Sequence, residues 1–140
     1  MRLLGLIGGT SWHATQMYYD LINRKASEIL GTAANPTLLL YSQNISIMKT
    51  GDLEIIIPSY IDIANKLKVA GAEKLMLLAN TPHLVVDAVE KETGLSFIHI
   101  VDSTAKRAKE LGVSKLGLLG TLTTMTKPFL KDRFKEKHGL

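Results

Sequence analysis

Five short apolar runs, each bounded by Gly, Asn, Pro or Thr, recur along the chain: Leu3 to Ile7, Thr37 to Tyr41, Lys74 to Leu78, Phe97 to Ile100, and Leu116 to Leu119. Continuous apolar runs of this length suit strands buried on both faces. The stretches between them have helical spacing, as in Ile61, Ala64 and Leu67, or Leu84, Val85, Ala88 and Val89. Strand and helix in alternation predict an α/β fold, a three-layer parallel sheet with helices on both faces. A chain of 140 residues, 46% hydrophobic and 21% charged, is long and apolar enough to close such a core.

Helix boundaries follow from capping chemistry. Ser11 is placed to cap a helix to about Leu30, which Gly31 closes. Pro58 or Ser59 is expected to start the next, and Ala70-Gly71-Ala72 to stop it. Thr81-Pro82 reads as an N-cap and first helical residue, with Gly94 as the end; Asp102 reads as the cap of the helix that Gly112 closes. Residues 42–57 read as a loop of functional length, in which Ile55-Ile56-Ile57 could extend the following helix or pack the loop down. Trp12, Tyr18 and Tyr19, at helical spacing, are expected to pack in the core. Leu118-Leu119-Gly120-Thr121 echoes Leu6-Ile7-Gly8-Gly9-Thr10, which places a boundary near residues 112–115. The expected division is 1–113, a first α/β lobe, and 114–140, the first βα unit of a truncated second lobe. The apolar surface such a half-cleft would leave open predicts a homo-oligomer.

Composition narrows the function classes. Seventeen Lys and Arg against thirteen Asp and Glu give a net charge of +4, but the basic residues are spread through helical stretches, so no nucleic-acid partner is expected. No run approaches the ~18 apolar residues of a membrane span, and the first residues are too short for a signal-peptide core, so a cytoplasmic location is the default expectation. The chain has no cysteine, which excludes disulfides, thiolate zinc sites and cysteine nucleophiles within these residues. None of His13, His83, His99 and His138 pairs with another histidine at i, i+4, so no metal site is expected. His99 reads as a core or strand-end residue, whereas His83, directly after Pro82, could face a crevice.

In an open parallel sheet, ligands bind beyond the carboxyl ends of the strands. Three loops there combine small residues with hydroxyl or amide groups: Gly8-Gly9-Thr10-Ser11-Trp12, Ala79-Asn80-Thr81-Pro82-His83, and Gly120-Thr121-Leu122-Thr123-Thr124. Such loops suit a carboxylate or phosphate. Gly5, Gly8 and Gly9 lack the spacing of a dinucleotide fingerprint, and Tyr41-Ser42-Gln43-Asn44 offers no acid to a ribose. No phosphate-loop lysine is present either, which weakens a flavodoxin-like nucleotide or signalling role.

Taken together, Gly5-Leu6-Ile7-Gly8-Gly9-Thr10-Ser11-Trp12 with Tyr18-Tyr19, Leu39-Leu40-Tyr41-Ser42, Asn80-Thr81-Pro82-His83, and Gly117-Leu118-Leu119-Gly120-Thr121 with Thr124-Met125-Thr126 resemble the aspartate/glutamate racemase family. The motifs occur in the family's order and span essentially the whole chain. The resemblance implies a flavodoxin-like lobe, a second lobe of similar build, and a small amino-acid or carboxylate ligand held between them. It implies racemisation without a cofactor, one thiolate removing the α-proton and a thiol on the opposite face returning one. By the same resemblance Asn80 and Thr81 hold the substrate α-carboxylate, Thr121 and Thr124 face it across the cleft, and Thr10 and Ser11 line the floor. Lys49 is a candidate partner for a distal carboxylate, and His83 a further candidate contact.

The sequence departs from that pattern where the family commonly carries its first catalytic cysteine, which here is Ala79. The second cysteine of the family belongs to a Gly-Cys-Thr-Glu type motif absent from these residues. Two readings follow: an aspartate racemase-like protein impaired at its proton-transfer position, or a binding protein that keeps the cleft without the reaction.

Overall fold

The computed structural model describes residues 3–32 and 34–140; Met1, Arg2 and Ala33 lie outside the described residues. Four strands, β1 (Leu4–Gly8), β2 (Leu38–Ser42), β3 (Lys74–Leu77) and β4 (Phe97–Ile98), form one sheet in the order β2-β1-β3-β4, and every pair is parallel. Parallel neighbours require crossovers, and helices supply them: α1 (Trp12–Leu30), α2 (Ser46–Lys49), α3 (Leu53–Val69), a 3₁₀ helix (Thr81–Val85) running into α4 (Val86–Thr93), and α5 (Ile100–Glu110). The α/β alternation is as expected, and the four strands fall within a residue or two of the apolar runs.

Side chains alternate across the sheet, so each face has its own layer. Ile7, Leu75, Leu77 and Phe97 pack with Ile56, Tyr60, Ile63, Ala64 and Leu67 of α3 and with Val86 and Val89 of α4 in one continuous core. On the other face, α1 approaches β1 closely because Gly8 has no side chain; a Cβ there would lie 2.6 Å from Thr15 Oγ1. Between α1 and α5 the layer stays open as an apolar groove of about 590 Å³, lined by Tyr18, Met76, Ile98, Ile100, Ala108 and Leu111 among others.

Several helix ends differ from expectation. Ser11 does cap α1, accepting a hydrogen bond from the Ala14 amide, and Gly31 closes it. The next long helix, α3, starts at Leu53 rather than at Pro58, because Asp52 caps it through the Glu54 amide at 2.9 Å and Ile56 enters the core. Pro58 is thus inside the helix; the hydrogen bond it forgoes would go to Glu54, which is exposed and open to water. Ahead of the 3₁₀ helix, Asn80 rather than Thr81 takes the cap position. Trp12 is 62% exposed and Tyr19 is also exposed, contrary to core packing, while Tyr18 is half-buried: Tyr18 and Tyr19 are adjacent on α1, so they project from different sides of the helix.

The fifth apolar run, Leu116 to Leu119, forms no strand among the described residues. Its backbone groups have no backbone hydrogen-bond partner among the described residues, and Leu119 is 88% exposed. After it come α6 (Leu122–Thr126) and α7 (Pro128–His138). Leu130 is buried where α7 packs on α5 and the 3₁₀ helix.

The α7 contact is also ionic. Asp102 lies in the first turn of α5, whose cap is His99; its carboxylate instead receives the Arg133 guanidinium at 2.8 and 2.6 Å and the His138 Nε2–H at 2.8 Å. The Arg133 hydrogen bonds hold the Asp102 carboxyl well below the usual carboxylate range. His99, 3% exposed, accepts the Val101 amide on Nδ1, and burial, reinforced by His83 and Arg133, pushes its pKa down to about 3. Burial also lowers His83.

An acid-sensitive fold follows. The unfolded chain takes up histidine protons below its ordinary pKa near 6.5, while His99 stays neutral in the native state down to about 3, so stability falls as pH drops through that window. Asp102 adds to the loss at lower pH, its depressed pKa giving stability that is present above the unfolded carboxylate pKa. Denaturant titrations at pH 7 and pH 5 should differ by about 2 kcal/mol from His99 alone. His99→Asn, which keeps a capping oxygen, should flatten that slope; an unchanged slope would contradict the assignment.

Candidate functional site

The strand order places the ends of β1 and β3 side by side, while β2 and β4 leave in opposite directions. Helices diverge above that junction and open a crevice. A cleft of about 690 Å³ lies there, lined by Thr10, Ser11, Lys49, Ala79, Asn80, Thr81, Thr121 and Thr124, eight residues singled out in the sequence, and also by Ala14, Tyr18, Ile45, Met48, Leu78, Gly120 and Thr123.

Each wall has a local cause. Gly9 adopts φ +89°, and its amide donates to Thr15 Oγ1 at 3.0 Å. That amide is therefore engaged within the fold, so the Gly8-Gly9 turn serves close packing, and the loop residues that line the cleft are Thr10 and Ser11. Beneath Thr10 lies a buried polar pair missed in the sequence. Gln43 Nε2 donates to Thr10 Oγ1 at 3.1 Å and to the Tyr60 hydroxyl, which lies 3.3 Å from Thr10 Oγ1. Gln43 Oε1 has no hydrogen-bond partner among the described residues. Burial raises the Tyr60 pKa, so its phenol stays protonated at neutral pH. The available signal was Gln43 directly after a strand, at the height of the β1 loop.

Opposite, Thr121 caps α6, its hydroxyl accepting the Thr124 amide at 3.3 Å and lying 3.0 Å from Thr124 Oγ1. Thr124 is 2% exposed and Thr121 exposed, so the pair offers one anchored and one accessible hydroxyl. Lys49, at the end of α2, is the cation on the cleft rim. His83 is not a cleft residue. It is buried behind the β3 loop, beside a separate polar cavity shared with His99, Asp87 and Arg133.

The cleft combines hydroxyls, one amide side chain and one ammonium, a donor set suited to a small anion. Among the described residues no group of three His, Cys, Asp or Glu side chains is arranged to hold a metal ion, and no helix is long and apolar enough to cross a membrane.

The sequence profile of the Asp/Glu/Hydantoin racemase family matches residues 7–140. This chain belongs to that racemase family. A Yersinia pestis protein proposed to be an Asp/Glu racemase is 40% identical to it, with a TM-score of 0.92 over 100% of this chain and 63% of that one. An aspartate racemase homologue from Pyrococcus horikoshii OT3 is 36% identical, with a TM-score of 0.88 over 99% of this chain and 62% of that one. The chain thus spans under two thirds of the length of these relatives. The racemase resemblance read from the motifs and the α/β fold are both correct.

Proposed function

We propose that the cleft binds an acidic amino acid or a related small carboxylate, as an aspartate racemase-like site whose proton-transfer position is occupied by Ala79. What supports this most is convergence: residues far apart in sequence, nominated for carboxylate binding, line one cleft at the sheet's switch point. Asn80 and Thr81 would hydrogen-bond the α-carboxylate, Thr121 and Thr124 would face it, Thr10 and Ser11 would form the floor, and Lys49 would pair with the distal carboxylate. Racemisation needs a group that takes the α-proton on one face and another that supplies one on the other. The methyl of Ala79 can do neither, and no residue of this chain is a cysteine. Ala79 therefore also favours the second reading, a cleft that serves binding alone.

Calorimetric titration with aspartate and glutamate tests the reading. Saturable binding is expected, and Asn80→Ala should weaken it about tenfold or more, since a hydrogen bond to a charged group contributes roughly 1.5–3 kcal/mol. Binding unaffected by Asn80→Ala would remove the assignment. A cytoplasmic setting and residues 114–140 as the opening unit of a second lobe belong to the same proposal. So does self-association, supported by exposed Leu40, Leu119, Leu122 and the open groove. Light scattering should give a mass above 15.4 kDa; a strict monomer at high concentration would count against it.

A further inference from the structure

His83 is bonded at both ring nitrogens although it does not reach the cleft. Nδ1 lies 2.9 Å from the Ala79 carbonyl oxygen and 3.1 Å from that of Asn80, and Nε2 lies 3.3 Å from the Ile100 amide nitrogen. Carbonyls accept and amides donate, so Nδ1 carries the proton and Nε2 is bare, which makes the ring neutral with one defined tautomer. The ring is 4% exposed and meets His99 edge-on with centroids 4.5 Å apart, so it has little freedom to turn.

The sequence explains why a side chain is needed there. In a 3₁₀ turn the Ala79 carbonyl would bond the amide three residues on, which is Pro82 and has no N–H. The backbone amide of His83 is engaged with Asn80 at 3.1 Å. The imidazole therefore supplies the donor that proline removes, at the carbonyls of the two peptide units that lead into Asn80 and Thr81, both of which line the cleft.

We propose that His83 is a positioning residue for the cleft: its Nδ1–H fixes the Ala79 and Asn80 carbonyls and so aims Asn80 and Thr81 at the ligand carboxylate. This rests on the carboxylate reading of the cleft. The Nε2 contact to Ile100 joins α5 to the same ring but serves packing alone.

Two variants separate the nitrogens. His83→Asn puts an amide donor near the place of Nδ1, and His83→Gln puts one near the place of Nε2. With aspartate titrated calorimetrically into the wild-type chain and both variants, the Asn variant should bind within about threefold of wild type and the Gln variant at least tenfold more weakly, at similar melting temperatures. A nitrogen-15 spectrum of the wild-type imidazole at pH 7 should show the proton on Nδ1. Wild-type-like binding by the Gln variant, or a proton on Nε2, would overturn the role of His83 alone. A wild-type chain that binds neither aspartate nor glutamate, with the Nδ1 proton seen as expected, would instead defeat the carboxylate reading.

Discussion

Replacing Gly9 by alanine should destabilise the fold by about 3 kcal/mol or more and lower the melting temperature by roughly 10 °C or more. Two costs combine. The residue holds φ +89°, which an L side chain rarely adopts, and a Cβ would overlap the backbone carbonyl oxygen and amide nitrogen of Gln43. Backbone cannot rotate aside as a side chain can. Relief would require the ends of β1 and β2 to part, breaking the bond from the Gln43 amide to the Gly8 carbonyl at 3.1 Å and moving the Gln43 side chain away from Thr10. Gly31→Ala is the control: φ is +105° there, but none of the described residues lies within 4 Å of the added Cβ. It should cost no more than the backbone term, on the order of 1–3 kcal/mol for a region that glycine alone readily adopts. Equal losses in the two variants, measured by denaturant unfolding, would show that the Gln43 overlap is unimportant.

The second large effect is a gain. Ala79→Cys should give the chain α-proton exchange, with deuterium entering the Cα position of bound aspartate in heavy water at least tenfold faster than with wild type. A thiol at position 79 would sit in the cleft wall between Leu78 and Asn80. With an ordinary pKa of about 8.5, it is a few per cent thiolate at neutrality. The thiolate would take the α-proton, the resulting thiol would trade it for a solvent deuteron, and that deuteron would return to the same face of the carbanion. With no cysteine elsewhere in the chain, nothing equivalent stands on the opposite face, so configuration should be retained. Both enantiomers should be tried, with chiral chromatography as the readout of inversion. No exchange above wild type would contradict the placement of position 79 against the substrate α-carbon.

Much of this architecture was legible in the sequence because local chemistry and tertiary placement agree. Apolar runs such as Leu38-Leu39-Leu40 pair wherever a parallel partner exists, and Ser11 caps α1 from a purely local signal. Where expectation failed, a distant group decided. Asp102 looked like a cap but is drawn to Arg133, 31 residues on, and His99 takes the cap instead. Pro58 looked like a helix start, yet the burial of Ile56 against the sheet extends α3 past it. Leu116 to Leu119 has the composition of a strand, but a strand needs a neighbour and none pairs with it among the described residues. The cleft shows the same division. Eight of its lining residues could be named in advance, most of them from strand-end loops, whereas Gln43 and Tyr60 beneath Thr10, and the bonding of His83, depend on contacts across 17 to 50 residues of sequence.

The cleft is proposed to hold an acidic amino acid without moving its α-proton. Proton NMR of aspartate with the wild-type chain in heavy water tests it in one sample. Saturation of protein signals should transfer to the aspartate resonances, while the Hα intensity stays constant over hours. Absence of transfer, or loss of Hα intensity in the wild-type sample, would contradict the account.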